Sequence, residues 1–148
     1  MMIEKIIGEK AETNRTFTWL INKHKPEHFQ KYYEDINSIF VSLGGDSAGS
    51  EQKRQLKLKA DCYFGGRYNF LFEFDELQHF TKYKLIALKQ YPPECRAGFA
   101  YDSYLYWSEE FAAEAIKKGP QGYRKETKDF PFVNGRAAQR AGNVLKCL

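Results

Sequence analysis

The sequence predicts an α/β (α+β) fold: a small, mainly antiparallel sheet built on a central β-hairpin and flanked by helices. Two runs of strict alternation predict the hairpin, and helical spacing of apolar residues on either side predicts the helices. In QLKLKADCYF, Leu56, Leu58, Ala60, Cys62 and Phe64 fall on one side, and Lys57, Lys59, Asp61 and Tyr63 on the other. In NFLFEFDE, Phe70, Phe72 and Phe74 take one side, and Leu71, Glu73 and Asp75 the other. Side chains alternate across a strand, so each run has one apolar and one charged face. A turn at residues 65–67 would pair Phe64 with Tyr68, setting Asp61 diagonal to Glu73, Lys59 opposite Glu73 and Lys57 opposite Asp75. A one-residue slip would mix the faces, so the alternation selects an in-phase register.

Residues 1–22 are expected to be helical, with Phe17, Leu20 and Ile21 buried. A second helix starts near Pro26, carries Phe29, Tyr32, Tyr33, Ile36, Ile39, Phe40 and Leu43 at helical spacing, and ends at Gly44-Gly45. Residues 44–55 read as a polar loop. Residues 82–90 form a short helix before Pro92-Pro93, with Lys82, Lys84 and Lys89 on its wet side. Residues 102–118 form another, capped by Asp102 or Ser103, with Tyr104, Phe111 and Ile116 inward. After a polar connector at 119–133, a last helix spans 134–147. Its Arg136, Gln139, Arg140 and Asn143 share one stripe, while Ala138, Ala141, Val144, Leu145 and Leu148 pack on the other side.

A length of 148 residues suits one domain over 1–148, divided into N-terminal helices (1–45), the hairpin (56–75) and C-terminal helices (102–148). The net charge of +4 permits a polyanionic partner without requiring one. Cys62, Cys95 and Cys147 are odd in number and contain no C-x-x-C pair, which argues against a disulfide framework or a four-cysteine zinc site. His24 and His28 flank Pro26 and lack an evident third ligand, which argues against zinc there too. No apolar run is long enough to span a bilayer and no cleavage signal opens the chain, so a cytoplasmic protein without a membrane partner is expected.

The charged hairpin face gathers Asp61, Glu73 and Asp75. Carboxylates opposed or diagonal on neighbouring strands lie about 5–8 Å apart, within reach of one cation. Mg²⁺ takes oxygen ligands, commonly one or two carboxylates completed by water and substrate phosphate. The plainer reading is a solvated sheet face with ordinary Lys–Glu and Lys–Asp cross-strand pairs. The Arg136, Gln139 and Arg140 stripe suits phosphate contacts, because a guanidinium donates in a bidentate fork. Lys82 and Lys84 would line the same nucleic-acid groove.

LKADCYF, a glycine turn and FLFEFDELQHF together resemble the D…E-x-D…QH pattern of the PD-(D/E)xK nuclease superfamily. The similarity is to the branch of very-short-patch-repair-like endonucleases and related bacterial proteins. It is clear over residues 56–93 and continues more weakly in GRAAQRAGNVL. The resemblance implies a restriction-endonuclease-like core and a Mg²⁺- (or Mn²⁺-) dependent DNA endonuclease hydrolysing phosphodiester bonds. It implies that Asp61, Glu73, Asp75 and the carbonyl of Phe74 hold metal, and that Gln78 and His79 position water or phosphate. The superfamily's lysine two residues after the second acid is missing, since position 75 is Asp; Lys59 or His79 would substitute. Glu9 or Glu12 would approach the metal from the first helix. The remaining strand is expected from residues 91–101 or 127–133. The alternative function is a catalytically inactive nuclease-fold module that binds nucleic acid or a protein partner. A homodimer would let one small site serve both DNA strands.

Overall fold

A computed structural model describes residues 1–23, 25–96 and 100–143, apart from the side chains of His28 and Arg96. The chain forms a three-stranded antiparallel sheet in the order β1-β2-β3, flanked by helices. Helix α1 (Met2–Ile7) precedes β1 (Glu12–Ile21). After α2 (Pro26–Phe29), a 3₁₀ turn (Gln30–Tyr32), α3 (Tyr33–Ser42) and α4 (Ser47–Gln52) come β2 (Lys57–Phe64) and β3 (Phe70–Phe72). A 3₁₀ turn (Leu77–His79), α5 (Lys82–Lys89), α6 (Tyr101–Lys118) and α7 (Gly135–Gly142) complete the fold.

The hairpin forms as the alternation predicts, but its turn is longer. Phe64 pairs with Phe70, Tyr63 with Leu71 and Cys62 with Phe72, leaving residues 65–69 as the turn. The register therefore differs by two residues from the three-residue turn. A shift of two preserves the faces and brings Asp61 level with Glu73 instead of diagonal to it. Lys59 is displaced from Glu73 by the same shift. Ala60, Cys62 and Phe64 are buried, whereas Leu56 and Phe74 at the ends of the apolar face are exposed.

The N-terminal segment departs from expectation. Residues 12–21 form a strand, not a helix, and supply the third strand expected from 91–101 or 127–133. Thr13 pairs with Cys62 and Thr16 with Lys59, before the register shifts ahead of Ile21. Phe17, Leu20 and Ile21 satisfy helical spacing, but Thr13, Thr16 and Thr18 favour a pleated strand once β2 is there to pair with. Leu20 and Ile21 are nonetheless buried. The expected helix from Pro26 is interrupted by its 3₁₀ turn, where Gln30 adopts a φ of 35°.

Residues 47–52, expected to be loop, form α4, with Asp46 accepting a hydrogen bond from the Ala48 amide at 3.0 Å. Helix α6 begins one residue earlier than expected, at Tyr101, and neither Asp102 nor Ser103 caps it. The main core is helix on helix: Ile36, Ile39, Phe40 and Leu43 of α3 meet Tyr83, Ala87 and Leu88 of α5 and Ala137, Ala138 and Ala141 of α7. The packing roles of Val144, Leu145 and Leu148, and the His24–His28 pairing, lie outside the described residues.

Small residues let α7 approach closely. A Cβ on Gly135 would sit 2.0 Å from the Phe130 carbonyl oxygen, so only glycine fits there. Gly135→Ala should therefore push α7 off its seat and destabilise the protein by about 1–3 kcal/mol, read from urea or thermal melts.

Candidate active site

One cleft of about 370 Å³ collects most of the residues singled out from the sequence. Asp61, Glu73, Phe74, Asp75, Gln78, His79 and Lys59 line it from the hairpin side. Arg136, Gln139, Arg140 and Asn143 line it from α7, and Lys84 from α5. Lys82, expected among the nucleic-acid contacts, is exposed and does not line the cleft. Glu9 does not line it either and instead accepts the Arg67 amide at the hairpin turn, at 2.9 Å; Glu12 pairs with Arg15.

Asp61 and Glu73 interlock across the hairpin. The Asp61 amide donates to Glu73 Oε1 at 3.2 Å, and the Phe74 amide donates to Asp61 Oδ2 at 3.0 Å. The two carboxylates are thus neighbours on adjacent segments. Loss of hydration and then the Asp61 charge push the Glu73 carboxyl up to about 7, against the pull of the Asp61 amide.

Asp75 differs in kind. Its Oδ1 lies 2.9 Å from His79 Nδ1, its Oδ2 lies 3.4 Å from Lys84 Nζ, and the Tyr104 hydroxyl donates to it. Burial alone would raise its pKa, but the His79 hydrogen bond, the Lys84 charge and the Tyr104 hydroxyl hold it well below the usual carboxylate range. The Glu76 N–H donates to the same nitrogen, His79 Nδ1, at 3.2 Å. Both contacts converge on Nδ1, so the ring is oriented from that side.

Lys84 was expected on the wet side of its helix, yet it is 3% exposed. Thr81 caps α5, its hydroxyl accepting from the Lys84 amide at 3.2 Å, and so fixes the first turn that carries this lysine. Lys84 Nζ also lies 5.4 Å from the centre of the Tyr104 ring. Lys59, expected to replace the missing lysine, lines the cleft from an exposed position.

Two tyrosines of the site escaped the sequence reading. Tyr104 is expected on the inward side of its helix, and its hydroxyl contact to Asp75 depends on how α6 meets the segment after β3. Tyr123 lies in a 3₁₀ turn (Gln121–Arg124) inside the supposed polar connector and lines the cleft. Three aromatics, Tyr123, Phe130 and Phe132, amid the polar residues of that connector were the available signal.

Among the described residues, no group of three His, Cys, Asp or Glu side chains is arranged to hold a metal ion, and no helix is long and apolar enough to cross a membrane. A family of unknown function (DUF7255) matches residues 38–138, which span the hairpin, α5, α6 and the start of α7. No curated protein and no solved structure matches the chain.

The raised Glu73 pKa fixes a sign. Between pH 4.5 and about 7 the folded protein keeps a proton on Glu73 that the unfolded chain has lost. Stability therefore falls as pH rises through that window. Because Glu73 is exposed as a residue, water screening holds the effect to about 1 kcal/mol or less. Melting curves at pH 5 and pH 8 should show this loss in the native protein and a smaller one in Glu73→Gln.

Proposed function

The chain belongs to the DUF7255 family, and we propose that its cleft hydrolyses phosphodiester bonds in DNA with the help of Mg²⁺ or Mn²⁺. The observation that carries the proposal is the pairing of Asp61 with Glu73 across the hairpin, in a cleft whose other wall presents Arg136 and Arg140. Carboxylates on one wall and guanidinium groups on the other suit a phosphate bridged between a cation and an arginine fork. The finer fold reading, a shortened restriction-endonuclease-like core, is part of this proposal. A strand bearing an aspartate, a following segment bearing a glutamate and a helix closing the site support it.

The donor set fits Mg²⁺ better than zinc. Asp61 and Glu73 offer two carboxylates, and the Phe74 carbonyl beside them is a further oxygen, whereas Asp75 is committed to Lys84, His79 and Tyr104. Two carboxylates with a shell completed by water are usual for Mg²⁺. When bound, such an ion neutralises phosphate charge and makes a coordinated water more acidic.

The protein's own groups do the rest. Asp75 orients the His79 imidazole so that Nε2 accepts a proton from attacking water or returns one to the leaving oxygen. Lys84, in place of Lys59, holds a positive charge beside the acids and offsets the charge building on phosphate. Gln78 is oriented by Glu76, its amide nitrogen donating to Glu76 Oε2 at 2.5 Å, and presents its amide at the rim. Arg136 and Arg140 bind backbone phosphate without reading sequence.

A second reading, a nuclease-fold module that binds without cutting, draws on the aspartate at position 75, where the superfamily carries lysine. Plasmid nicking in Mg²⁺ or Mn²⁺ separates the two. The native protein should nick, while Asp61→Asn, Glu73→Gln and Lys84→Met lose roughly 100-fold or more. Lys59→Ala should change the rate only a few-fold. Equal nicking by native protein and Asp61→Asn removes the enzyme proposal, and DNA binding without nicking by any sample favours the binding module.

A further inference from the structure

We infer that Tyr123 and the Asp129–Gln139 pair are positioning residues that hold Arg140 and Arg136 ready as the cleft's two phosphate contacts. The inference rests on the cleft being a nucleic-acid site. It changes the reading of α7, whose stripe looked like three equivalent contacts: two are contacts and Gln139 is a bracket.

The bracket starts at Asp129, which is 2% exposed. Its carboxylate pairs with Lys53 and accepts the Thr127 hydroxyl at 2.9 Å and the Gln139 Nε2 at 2.7 Å. Burial alone would raise the Asp129 pKa, but the bonds to Lys53 and Thr127 outweigh it and keep the group ionised. An ionised carboxylate only accepts, so it fixes the Gln139 amide with its NH₂ inward and its oxygen outward. That outward oxygen accepts from Arg136 Nη1. Gln139 therefore has both ends of its amide engaged, and Arg136 has one nitrogen tethered.

Arg140 is held differently. Its guanidinium carbon lies 5.3 Å from the centre of the Tyr123 ring. Tyr123 is 6% exposed, and its ring also stacks with His79 at 6.4 Å and 23°. Backbone bonds tie its segment to α7: Asn134 N–H donates to the Arg124 carbonyl at 3.1 Å, and Arg136 N–H to the Lys125 carbonyl at 2.9 Å. The ring thus moves with the helix that carries Arg140. A free arginine side chain loses much rotamer freedom when it grips phosphate. Side chains already restrained in the unbound protein lose less, which strengthens binding without adding a contact.

Salt dependence separates the two roles, because each phosphate contact adds about 0.9 to the slope of log affinity against log salt on duplex DNA, whereas restraint of a side chain changes affinity at every salt and leaves the slope alone. The experiment is anisotropy of a labelled duplex, titrated with full-length protein in Ca²⁺ at several salt concentrations. Arg140→Gln and Arg136→Gln should each lower the slope by about 0.9. Tyr123→Leu should keep the native slope but weaken binding about 2- to 10-fold at every salt, Tyr123→Phe should bind like the native protein because the ring remains, and Tyr123→Leu should add little to Arg140→Gln. Gln139→Leu should likewise keep the native slope, weaken binding about 2- to 10-fold and add little to Arg136→Gln, and it carries the test alone if Tyr123→Leu fails to fold. If both arginine variants lower the slope while Tyr123→Leu and Gln139→Leu bind as tightly as the native protein at every salt, the positioning inference is overturned and the reading of the cleft stands. If the arginine variants leave the slope unchanged, the reading of the cleft fails and the inference falls with it.

Discussion

Asp75 joins parts of the chain that are distant in sequence. It leaves the hairpin just after β3, bonds back to His79 in the following 3₁₀ turn, and meets Lys84 of α5 and Tyr104 of α6. A carboxylate and a lysine brought together away from water lose hydration, and the arrangement holds only if each charge keeps its partners. Removing one partner from such a pair typically costs about 3–5 kcal/mol, because the other is left uncompensated. The orientation of the hairpin against the helical core is thereby tied to one set of polar contacts. Everything the cleft does depends on that orientation, since the hairpin supplies one wall and α7 the other.

This constraint divides the three acids of the hairpin face. Asp61 and Glu73 are bound to each other's backbone neighbourhood and crowd one another, which disfavours two full charges there in the absence of a cation. Asp75 has its charge answered by protein. The electrostatic need of the cleft is therefore concentrated at Asp61 and Glu73. On the facing wall, Asp129 holds Gln139, and the Tyr123 ring faces the Arg140 guanidinium and stacks on His79.

The parts of the fold that were legible in the sequence are those dictated by local periodicity with a single solution. Strict alternation over Leu56 to Phe64 admits only a strand with one charged face, and the glycine pair after it admits a turn. The turn's length was not legible, because three and five residues preserve the same faces and Asn69, at a φ of 49°, extends the turn where no glycine marks it. Residues 12–21 fit both a helix and a strand locally, and pairing with β2 chose the strand. Residues 47–52 read as loop because they are polar, yet Asp46 caps them and Gly49 lets them approach the Lys128 carbonyl, where a Cβ would stand 1.8 Å away.

By itself the sequence determined the hairpin, the shared face of Asp61, Glu73 and Asp75, the short helix at residues 82–90 and the stripe of Arg136, Gln139 and Arg140. Each of these follows from bonded geometry repeating along a few residues. Tertiary structure alone decided that the acidic face and the arginine stripe confront one another, that Lys84 is buried beside Asp75, that the Tyr104 hydroxyl reaches Asp75 and that Tyr123 lines the cleft. Those facts depend on how α5, α6 and α7 pack, and packing is settled by contacts between residues far apart in the chain, which no local pattern encodes.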